Sequence, residues 1–312
     1  MKIMVDLSIK YLLILLLITI IIFSILIPNI FWSISNFQSI ATQIPILGIL
    51  TLAMVIPMLT GGINLSIIAT MNACSLIIAY IVTQYGVTFS FTIGLLLAII
   101  IGLFNGILIA KVKVSPILAT LGTMTLINGL NILTTNGSTI ANFPNIILSI
   151  NTLEVFFIPI PIVVFSLLSL LVWFIFEKTT LGKEIYFIGN NEKATLYSGI
   201  NTDKVIILVY VLSSLLCFFA AILMMAKLNS AKASYGDSYL LISILAAVLG
   251  GINPDGGKGK IIGVIIALFL LQIIESGLNI LGISSYITLI LWGMLLILFI
   301  FLQNKSLLQK KL

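Results

Sequence analysis

The sequence lacks histidine and arginine altogether, and charged residues make up only 8% of it. Without an imidazole, the chain can build neither a histidine proton relay nor a histidine metal site. Soluble domains carry about 25% charged residues, whereas 61% of this chain is hydrophobic. A water-soluble fold would expose far too much apolar surface, so the composition predicts an integral membrane protein.

Cysteine and catalytic motifs are equally sparse. The two cysteines, Cys74 and Cys217, lie in separate apolar runs without CxxC spacing, a pattern typical of buried reduced thiols and not of a disulfide or a metal site. No GxxxxGKS/T motif occurs, because Gly259 follows Lys258 where a P-loop requires serine or threonine. We therefore predict no catalytic residues, no metal site, no nucleic-acid partner and no ATP bound by this chain itself.

What the sequence does contain is long apolar runs. No charged residue occurs from Tyr11 to Ala110, a stretch long enough to cross a bilayer several times at about 20 residues per helix. Continuous runs without alternation argue against a membrane β-barrel, and helices satisfy every backbone polar group internally. We predict an all-α integral membrane protein, a single polytopic domain over residues 1–312 with about ten transmembrane helices. The runs cover residues 11–31, 40–60, 64–83, 89–110, 115–135, 155–176, 205–226, 238–252, 261–281 and 286–303.

The lysines are distributed unevenly between the turns that join these runs. If the amino terminus is cytoplasmic, only Lys227 and Lys232 of the 15 lysines fall on the outer side. This asymmetry follows the positive-inside rule and predicts that both termini are cytoplasmic. The loop from Asn136 to Glu154 is then the largest outer segment, either a partner contact or a plain connector. The first run has no small-residue cleavage site, so we expect a retained anchor.

One long polar interruption separates the apolar runs, from Glu177 to Lys204, with four acidic and four basic residues. Within it, Asn190 and Asn191 are typical helix-capping residues, and Glu192 is favoured in a first helical turn. Gly199 can end a helix. The pattern predicts a short helix between these signals.

The predicted helix, Glu192 to Ser198, is about two turns long, too short to be stable alone in water. It needs a partner, for which Leu196 and Ile200 offer apolar contacts and Glu192 and Lys193 a polar rim. The alternative is an ordinary surface loop.

The same segment resembles a known family. Its residues 181–194, LGKEIYFIGNNEKA, and 197–201, YSGIN, are similar to the cytoplasmic loop of ribose-type ABC sugar permeases. The similarity extends in order from about residue 45 to about residue 300. Its further segments are GGINLS at 61–66, NG at 105–106, IAK at 109–111, Pro116, ATLGT at 119–123, AAVLGG at 246–251, GGKG at 256–259, GLN at 277–279 and LGISSY at 281–286.

This resemblance implies the transmembrane subunit of an ATP-driven (ABC) importer. In such systems two permease chains, identical or paralogous, form the pathway, and an extracytoplasmic binding protein delivers a monosaccharide or sugar-like molecule. Separate ATPase subunits, which hold ATP and magnesium, supply the energy. The chain would lie in the bacterial cytoplasmic (inner) membrane, with ribose or autoinducer-2 as the nearest substrates. Residues 177–204 would form a cytoplasmic coupling loop, with ATPase contacts at Asn190, Asn191, Glu192, Lys193, Ala194, Leu196, Ser198, Gly199, Ile200 and Asn201.

Polar residues on the predicted spans are candidates for the pathway, or else for hydrogen bonds between helices. The candidates are Asn64, Asn105, Thr120, Thr123 and Glu275. Asn64 stands where relatives usually carry aspartate, and the Gly61–Asn64 segment is either a break within a membrane helix or a simple turn. Glu275 stands where relatives resemble asparagine; it either lines a wet cavity or pairs with Lys227 or Lys232 near the outer surface.

An ion-coupled secondary transporter of small polar solutes is the alternative function. Such carriers need buried ionisable or cation-coordinating groups. Among the predicted spans only Glu275 is such a group, so the sequence favours the importer.

Overall fold

The computed structural model describes residues 2–155 and 158–308. The helices in this part of the chain are α1 (Lys2–Leu26), α2 (Pro28–Phe31), α3 (Ile34–Met58), α4 (Ile67–Ala110), α5 (Pro116–Thr135), α6 (Asn145–Thr152), α7 (Ile160–Lys178), α8 (Thr180–Asn190), α9 (Glu192–Tyr197), α10 (Thr202–Leu228), α11 (Asp237–Leu249), α12 (Ile261–Ile280) and α13 (Ser285–Leu308). Its short strands are β1 (Ile140–Ala141), β2 (Glu154–Val155), β3 (Ile158–Pro159) and β4 (Ser230–Ala231). β1 pairs with β4 and β2 with β3, both antiparallel.

Seven of the described helices are long and apolar enough to cross a bilayer: α1, α3, α4, α5, α7, α10 and α12. The chain is thus an all-α polytopic membrane protein, as the composition predicted. The ten predicted apolar runs coincide largely with helices, since two runs lie on α4 and two on the shorter apolar helices α11 and α13. The count of ten spans and the side of each terminus stay predictions.

α4 is too long for a single span. Its 44 residues would extend about 66 Å at 1.5 Å per residue, against a hydrocarbon core about 30 Å thick. The helix is interrupted at Gly86, whose φ of 79° and ψ of 171° are far from helical values. Such a backbone conformation is open to glycine because it has no Cβ. The two arms, residues 67–85 and 87–110, correspond to the runs predicted at 64–83 and 89–110.

α3 and α10 form the centre of the bundle. Within their apolar windows, 72% of α3 and 61% of α10 are buried, compared with 11% of α1. α10 packs along both α4 and α3, whereas α1 lies at the periphery against α12. The polar side chains that these helices bury, such as Asn72 on α4 and Ser213 on α10, are out of reach of lipid, and both of these find hydrogen-bond partners inside the protein.

Two contacts between turns each join a pair of loops that the sequence analysis assigned to the same side, while the sides themselves stay predictions. In one, Gly257 donates its amide hydrogen to the Leu59 carbonyl at 2.9 Å, which joins two turns predicted to be cytoplasmic. In the other, Ile140 pairs with Ala231, which joins two loops predicted to be external. We call these the inner end and the outer end of the bundle, after their predicted sides.

The polar segment 177–204 has more helix than the sequence analysis expected. Its first residues, Glu177 and Lys178, complete α7, and α10 already begins at Thr202. Between them lie two helices, α8 and α9, of which only α9 was predicted. The segment is therefore a packed pair of short helices at the inner end.

Candidate functional site

α9 begins and ends at the signals that the sequence indicated. The Oδ1 atom of Asn191 accepts a hydrogen bond from the Ala194 amide at 3.0 Å, and Glu192 lies in the first turn. Both features stabilise the positive end of the helix. The helix stops at Tyr197, and Gly199 adopts a left-handed conformation with φ of 90° just beyond it. A helix of six residues depends on its neighbours for stability.

Lys113, in the turn between α4 and α5, ties α9 to the rest of the inner end. Its Nζ atom lies 3.2 Å from Glu192 Oε1 and 3.0 Å from Asp203 Oδ1. Partial burial acts to lower the pKa of Lys113, but the hydrogen bonds to Asp203 and Glu192 outweigh it and raise that pKa above its ordinary value. Glu192, predicted to face a partner, is thus engaged within the chain. These half-exposed pairs orient α9 more than they stabilise the fold.

The outward side of α9 is strongly apolar for a surface. Leu196 is 55% exposed and Tyr197 is 89% exposed, while Thr195 beside them is buried. Ile200, predicted as a second apolar contact, is half-buried against the core instead. Exposed around the two large side chains are Lys193, Ala194, Ser198 and Gly199. Large apolar anchors within a polar rim are typical of protein interfaces. We call Leu196 and Tyr197 the exposed face of α9.

Asn190 and Asn201, at the two sides of α9, hold neighbouring elements in place. Asn190 donates from Nδ2 to the Gly257 carbonyl at 3.2 Å, which joins α8 to the loop between α11 and α12. Asn201 accepts from the Lys204 amide at 3.0 Å and so caps α10. These two residues therefore fix the elements on either side of α9.

α8 was missed by the sequence analysis. It is amphipathic: Ile185 and Ile188 are buried, while Phe187 is 55% exposed. The spacing of Leu181, Ile185 and Ile188, at i, i+4 and i+7, is the signal that could have found it. Charged residues lie between the members of this apolar stripe and obscure it in the sequence.

Other predicted residues meet in the interior of the bundle. Thr123 donates from Oγ1 to Asn105 Oδ1 at 2.7 Å, and Asn105 donates from Nδ2 to Ser66 Oγ at 2.9 Å. Ser66 donates in turn to Asn64 Oδ1 at 2.7 Å, and Asn64 donates from Nδ2 to Ser213 Oγ at 3.0 Å. All five residues are buried. We call them the buried polar network; it joins α4, α5 and α10.

Thr120 braces the segment just before this network. Its Oγ1 atom accepts from the Leu65 amide at 3.1 Å, and its single proton is shared between the Pro116 carbonyl at 2.8 Å and the Ile63 carbonyl at 3.1 Å. The chain between α3 and α4 is therefore a helix break in which Thr120 of α5 contacts two backbone groups, at Ile63 and Leu65. Because Asn64 is only 1% exposed, this segment carries the Asn64 side chain into the interior of the protein, while a break within the membrane stays a prediction.

The amide of Asn64 suits its position chemically. It accepts from Ser66 and donates to Ser213, whereas an ionised carboxylate could only accept. Sequence reasoning brought Asn64, Asn105, Thr120 and Thr123 forward but missed the serines that complete the network. In this conformation the network bonds helix to helix, the second interpretation offered for these residues, and a role in the pathway stays a prediction.

The structure does not bring Glu275 to the network. Glu275 lies half-buried on α12, where it interacts electrostatically with Lys227 near the end of α10. The adjacent Ser276 donates to Asn36 Oδ1 at 2.7 Å, close to the start of α3. Both neighbours lie toward the outer end, but no ion pair within 4 Å joins Glu275 to Lys227 among the described residues, so the pairing alternative stays a prediction.

Comparison with known proteins identifies the family. Residues 36–300 match the family described as branched-chain amino acid transport system / permease component. The chain belongs to this permease family. The ribose import permease protein RbsC of Bacillus subtilis (strain 168) is 35% identical to it over 292 residues, which cover 93% of this chain and 90% of that protein.

Two further relatives cover most of this permease. The ribose import permease protein RbsC of Escherichia coli (strain K12) is 35% identical over 299 residues, 94% of this chain and 93% of that protein. The autoinducer 2 import system permease protein LsrD of Escherichia coli O9:H4 (strain HS) is 33% identical over 269 residues, 84% of this chain and 81% of that protein. No solved structure matches the chain. The resemblance drawn from the sequence is confirmed.

α5 differs from the other candidate spans of the permease. It has the lowest mean hydropathy of the seven, and only 28% of its apolar window is buried within the chain. It buries a stripe that contains Thr123 and Ile127 and leaves Gly122, Thr125 and Gly129 exposed. Small and polar residues on an exposed membrane helix suit contact with another helix or with water better than contact with lipid. We call these three residues the open face of α5.

Proposed function

We propose that this permease is the membrane-spanning subunit of an ATP-driven importer for a monosaccharide or a sugar-like small molecule, in the bacterial cytoplasmic membrane. Its relatives are named as import permeases for ribose and for autoinducer 2. The observation that carries the proposal is the exposed face of α9, which projects from a helix that the chain anchors on both sides. The chain itself would be no enzyme and would bind no cofactor, because ATP and magnesium belong to the partner.

The exposed face of α9 docks on the ATPase subunit. Leu196 and Tyr197, 55% and 89% exposed, supply the large apolar area that hot-spot residues of interfaces provide. Lys113 holds Glu192 and Asp203, so a push on α9 reaches the α4–α5 turn and the start of α10. Closure of the ATPase subunits on ATP would thereby shift the spans, while the chain itself performs no chemistry.

The pathway requires a second permease chain, identical or paralogous. The open face of α5 is the surface that supports this step, because α5 has the lowest mean hydropathy of the candidate spans and leaves Gly122, Thr125 and Gly129 exposed. Two such faces would enclose a route lined by weak hydrogen-bonding groups and glycine backbone. Weak contacts suit transport, because a tight site within the membrane would slow release of the solute.

The outer end is the place for the extracytoplasmic binding protein. There the loop from Asn136 to Glu154 forms β1 and α6, and β1 pairs with β4 of the neighbouring loop. The amide of Phe143 also donates to Asn229 Oδ1 at 3.1 Å. The two loops thus form one ordered cap on which a partner could rest, at the end opposite to α9.

Reconstitution tests the function directly. Proteoliposomes that hold the permease with its ATPase subunit, supplied with the loaded binding protein, should accumulate the sugar only when ATP is present. Ala194→Pro removes the amide that Asn191 caps and should abolish uptake while the protein remains inserted. Thr180→Pro, at the first position of α8, is the matched control, because proline is tolerated there.

Two results would contradict the proposal. Undiminished uptake by an inserted Ala194→Pro protein would show that α9 transmits nothing. Uptake driven by an ion gradient in the absence of ATP would instead favour a secondary transporter.

A further inference from the structure

The tetrapeptide Gly-Gly-Ile-Asn occurs twice in the chain, at residues 61–64 and 250–253. Each copy begins close behind a helix that has just ended, α3 at Met58 and α11 at Leu249. Each is followed by another apolar helix, α4 or α12. The backbones are not identical, because the positive φ falls on Gly61 in the first copy and on Gly251 in the second. The same tetrapeptide therefore separates two pairs of helices, and both of these helix breaks lie at the inner end.

The loops that contain the two copies touch each other through their backbones. Gly257 donates its amide hydrogen to the Leu59 carbonyl at 2.9 Å. A Cβ atom on Gly256 would lie only 2.6 Å from the Gly61 nitrogen. No side chain fits between the loops at this point, so a shift of one loop is passed to the other without a flexible intermediate.

The end of α8 closes the same contact. A Cβ atom on Gly189 would overlap both the Leu59 carbonyl oxygen and the Gly257 nitrogen. One residue further, Asn190 donates to the Gly257 carbonyl at 3.2 Å. We call residues 59–61, 189 and 255–257 the glycine junction. Asn191, which caps α9, follows directly in the chain.

One turn before the junction, a second bond fixes α8 to the same loop. Tyr186 donates from its hydroxyl group to the Gly259 carbonyl at 3.0 Å. Burial, and to a lesser extent the nearby Glu177, raises the pKa of Tyr186 to about 12. The hydroxyl group therefore keeps its proton at neutral pH and remains a donor.

We propose that Gly189 is a positioning residue for energy coupling, because it lets α8 seat directly on both helix breaks and so transmit the movement of α9 to α3, α4, α11 and α12. The proposal rests on the importer function stated above and names a second route beside the ion pairs of Lys113. Those ion pairs are half exposed and are screened by salt. The glycine junction is backbone packed on backbone, which salt does not weaken.

Gly189→Ala tests the junction in the reconstituted complex. Alanine is the better helix former, so only the overlap with the two loops opposes the substitution. We expect the ATPase subunit to remain bound and the KM for the loaded binding protein to be unchanged. The maximal uptake rate should fall about tenfold, within the usual range of coupling between sites. More ATP should be hydrolysed per molecule transported, which loss of folded protein alone would not cause.

Gly293→Ala is the matched control, because it lies within helix α13 and an added Cβ would meet no atom within 4 Å. Uptake by Gly189→Ala equal to that of Gly293→Ala would overturn the proposal. If the Gly189→Ala protein fails to insert, Tyr186→Phe provides the test instead. This substitution adds no atom and removes the hydrogen bond to the Gly259 carbonyl, so uptake should fall about fivefold. Unchanged uptake with Tyr186→Phe would then overturn the proposal.

The same vesicles distinguish a failure of the importer function from a failure of the glycine junction. Absence of ATP-driven uptake with the wild-type permease would refute the importer function itself. Normal wild-type uptake that neither Gly189→Ala nor Tyr186→Phe reduces would refute the glycine junction alone.

Discussion

The buried polar network and the exposed face of α9 both lie at interruptions of long apolar helices, yet the first buries polar side chains and the second exposes apolar ones. In the network, Asn64 and Asn105 give and receive hydrogen bonds within the chain and are no more than 1% exposed. In α9, Asn191 caps the first turn and Glu192 pairs with Lys113, whereas the large apolar side chains of Leu196 and Tyr197 are left exposed.

This difference reflects the solvent that each region meets. Within the membrane no water is available, so each polar group must be satisfied by the protein, and the network acts as a brace. At the inner end water satisfies the polar atoms, and it is the large apolar side chains that gain most from a partner. Polar residues in the spans therefore hold the fold, whereas apolar residues at the surface mark the docking site.

The largest effect is expected from truncation of the exposed face of α9. Leu196→Ala and Tyr197→Ala, each removing an interface anchor, should each weaken binding of the ATPase subunit by about 2 kcal/mol, or about 30-fold. Unfolding of the permease should be unchanged. Binding to permease in nanodiscs measures the effect. Ile297→Ala, at a site 72% exposed on α13, is the control. Equal affinities for all three variants would remove the distinction between docking and lipid-facing residues.

The next largest effect belongs to the network. Asn105→Leu removes one hydrogen bond from each of Thr123 and Ser66 and should lower the free energy of unfolding by about 1–3 kcal/mol. Affinity for the ATPase subunit should remain that of the wild type. The reverse outcome, normal stability with lost docking, would show that the two regions are not separate.

Two threonines on α5 sharpen the same comparison. Thr123 donates to Asn105 of the network, whereas Thr125 donates only to the Leu121 carbonyl of its own helix among the described contacts. Thr123→Val should lower the free energy of unfolding by about 0.6 kcal/mol, the average for a bond between membrane helices. Thr125→Val should change it less. Reversible unfolding in detergent measures both, and a larger loss for Thr125→Val would argue against the network as a brace.

The smallest effect is expected from Lys113→Met. Its ion pairs with Glu192 and Asp203 are half exposed, with 57% of the Lys113 side chain accessible, so they are worth about 0.2–1 kcal/mol before screening by salt. Uptake should fall modestly at low ionic strength and approach the wild-type rate at high salt. A double-mutant cycle with Asp203→Asn isolates the pair, and a coupling energy independent of salt would contradict this account.

The sequence was most informative where local rules decide. The cap at Asn191, the end near Gly199 and the membrane class follow from single residues or from composition, and the structure has them. α8 was missed because its apolar stripe lies beneath charged residues. The repeat at residues 61–64 and 250–253 was visible in the sequence, but its meaning depends on a contact between loops almost 200 residues apart, which no local pattern specifies.

The candidate site shows the same division. Asn64, Asn105, Thr120 and Thr123 were grouped by residue type, and four segments distant in the chain do bring them together. Glu275 was grouped with them on the same grounds but lies half-buried on α12, outside the network. Residue chemistry selects candidates, whereas the tertiary fold decides which of them meet.

Photo-cross-linking from two matched tyrosine positions tests the central claim most directly. Tyr197 and Tyr286 are 89% and 83% exposed, but the first lies on α9 and the second near the start of α13, at the predicted outer end. A photoreactive residue at 197 should capture the ATPase subunit in the assembled transporter, and one at 286 should not. Capture from 286, or none from 197 in a complex that still transports, would contradict the assignment of α9 as the site where energy enters.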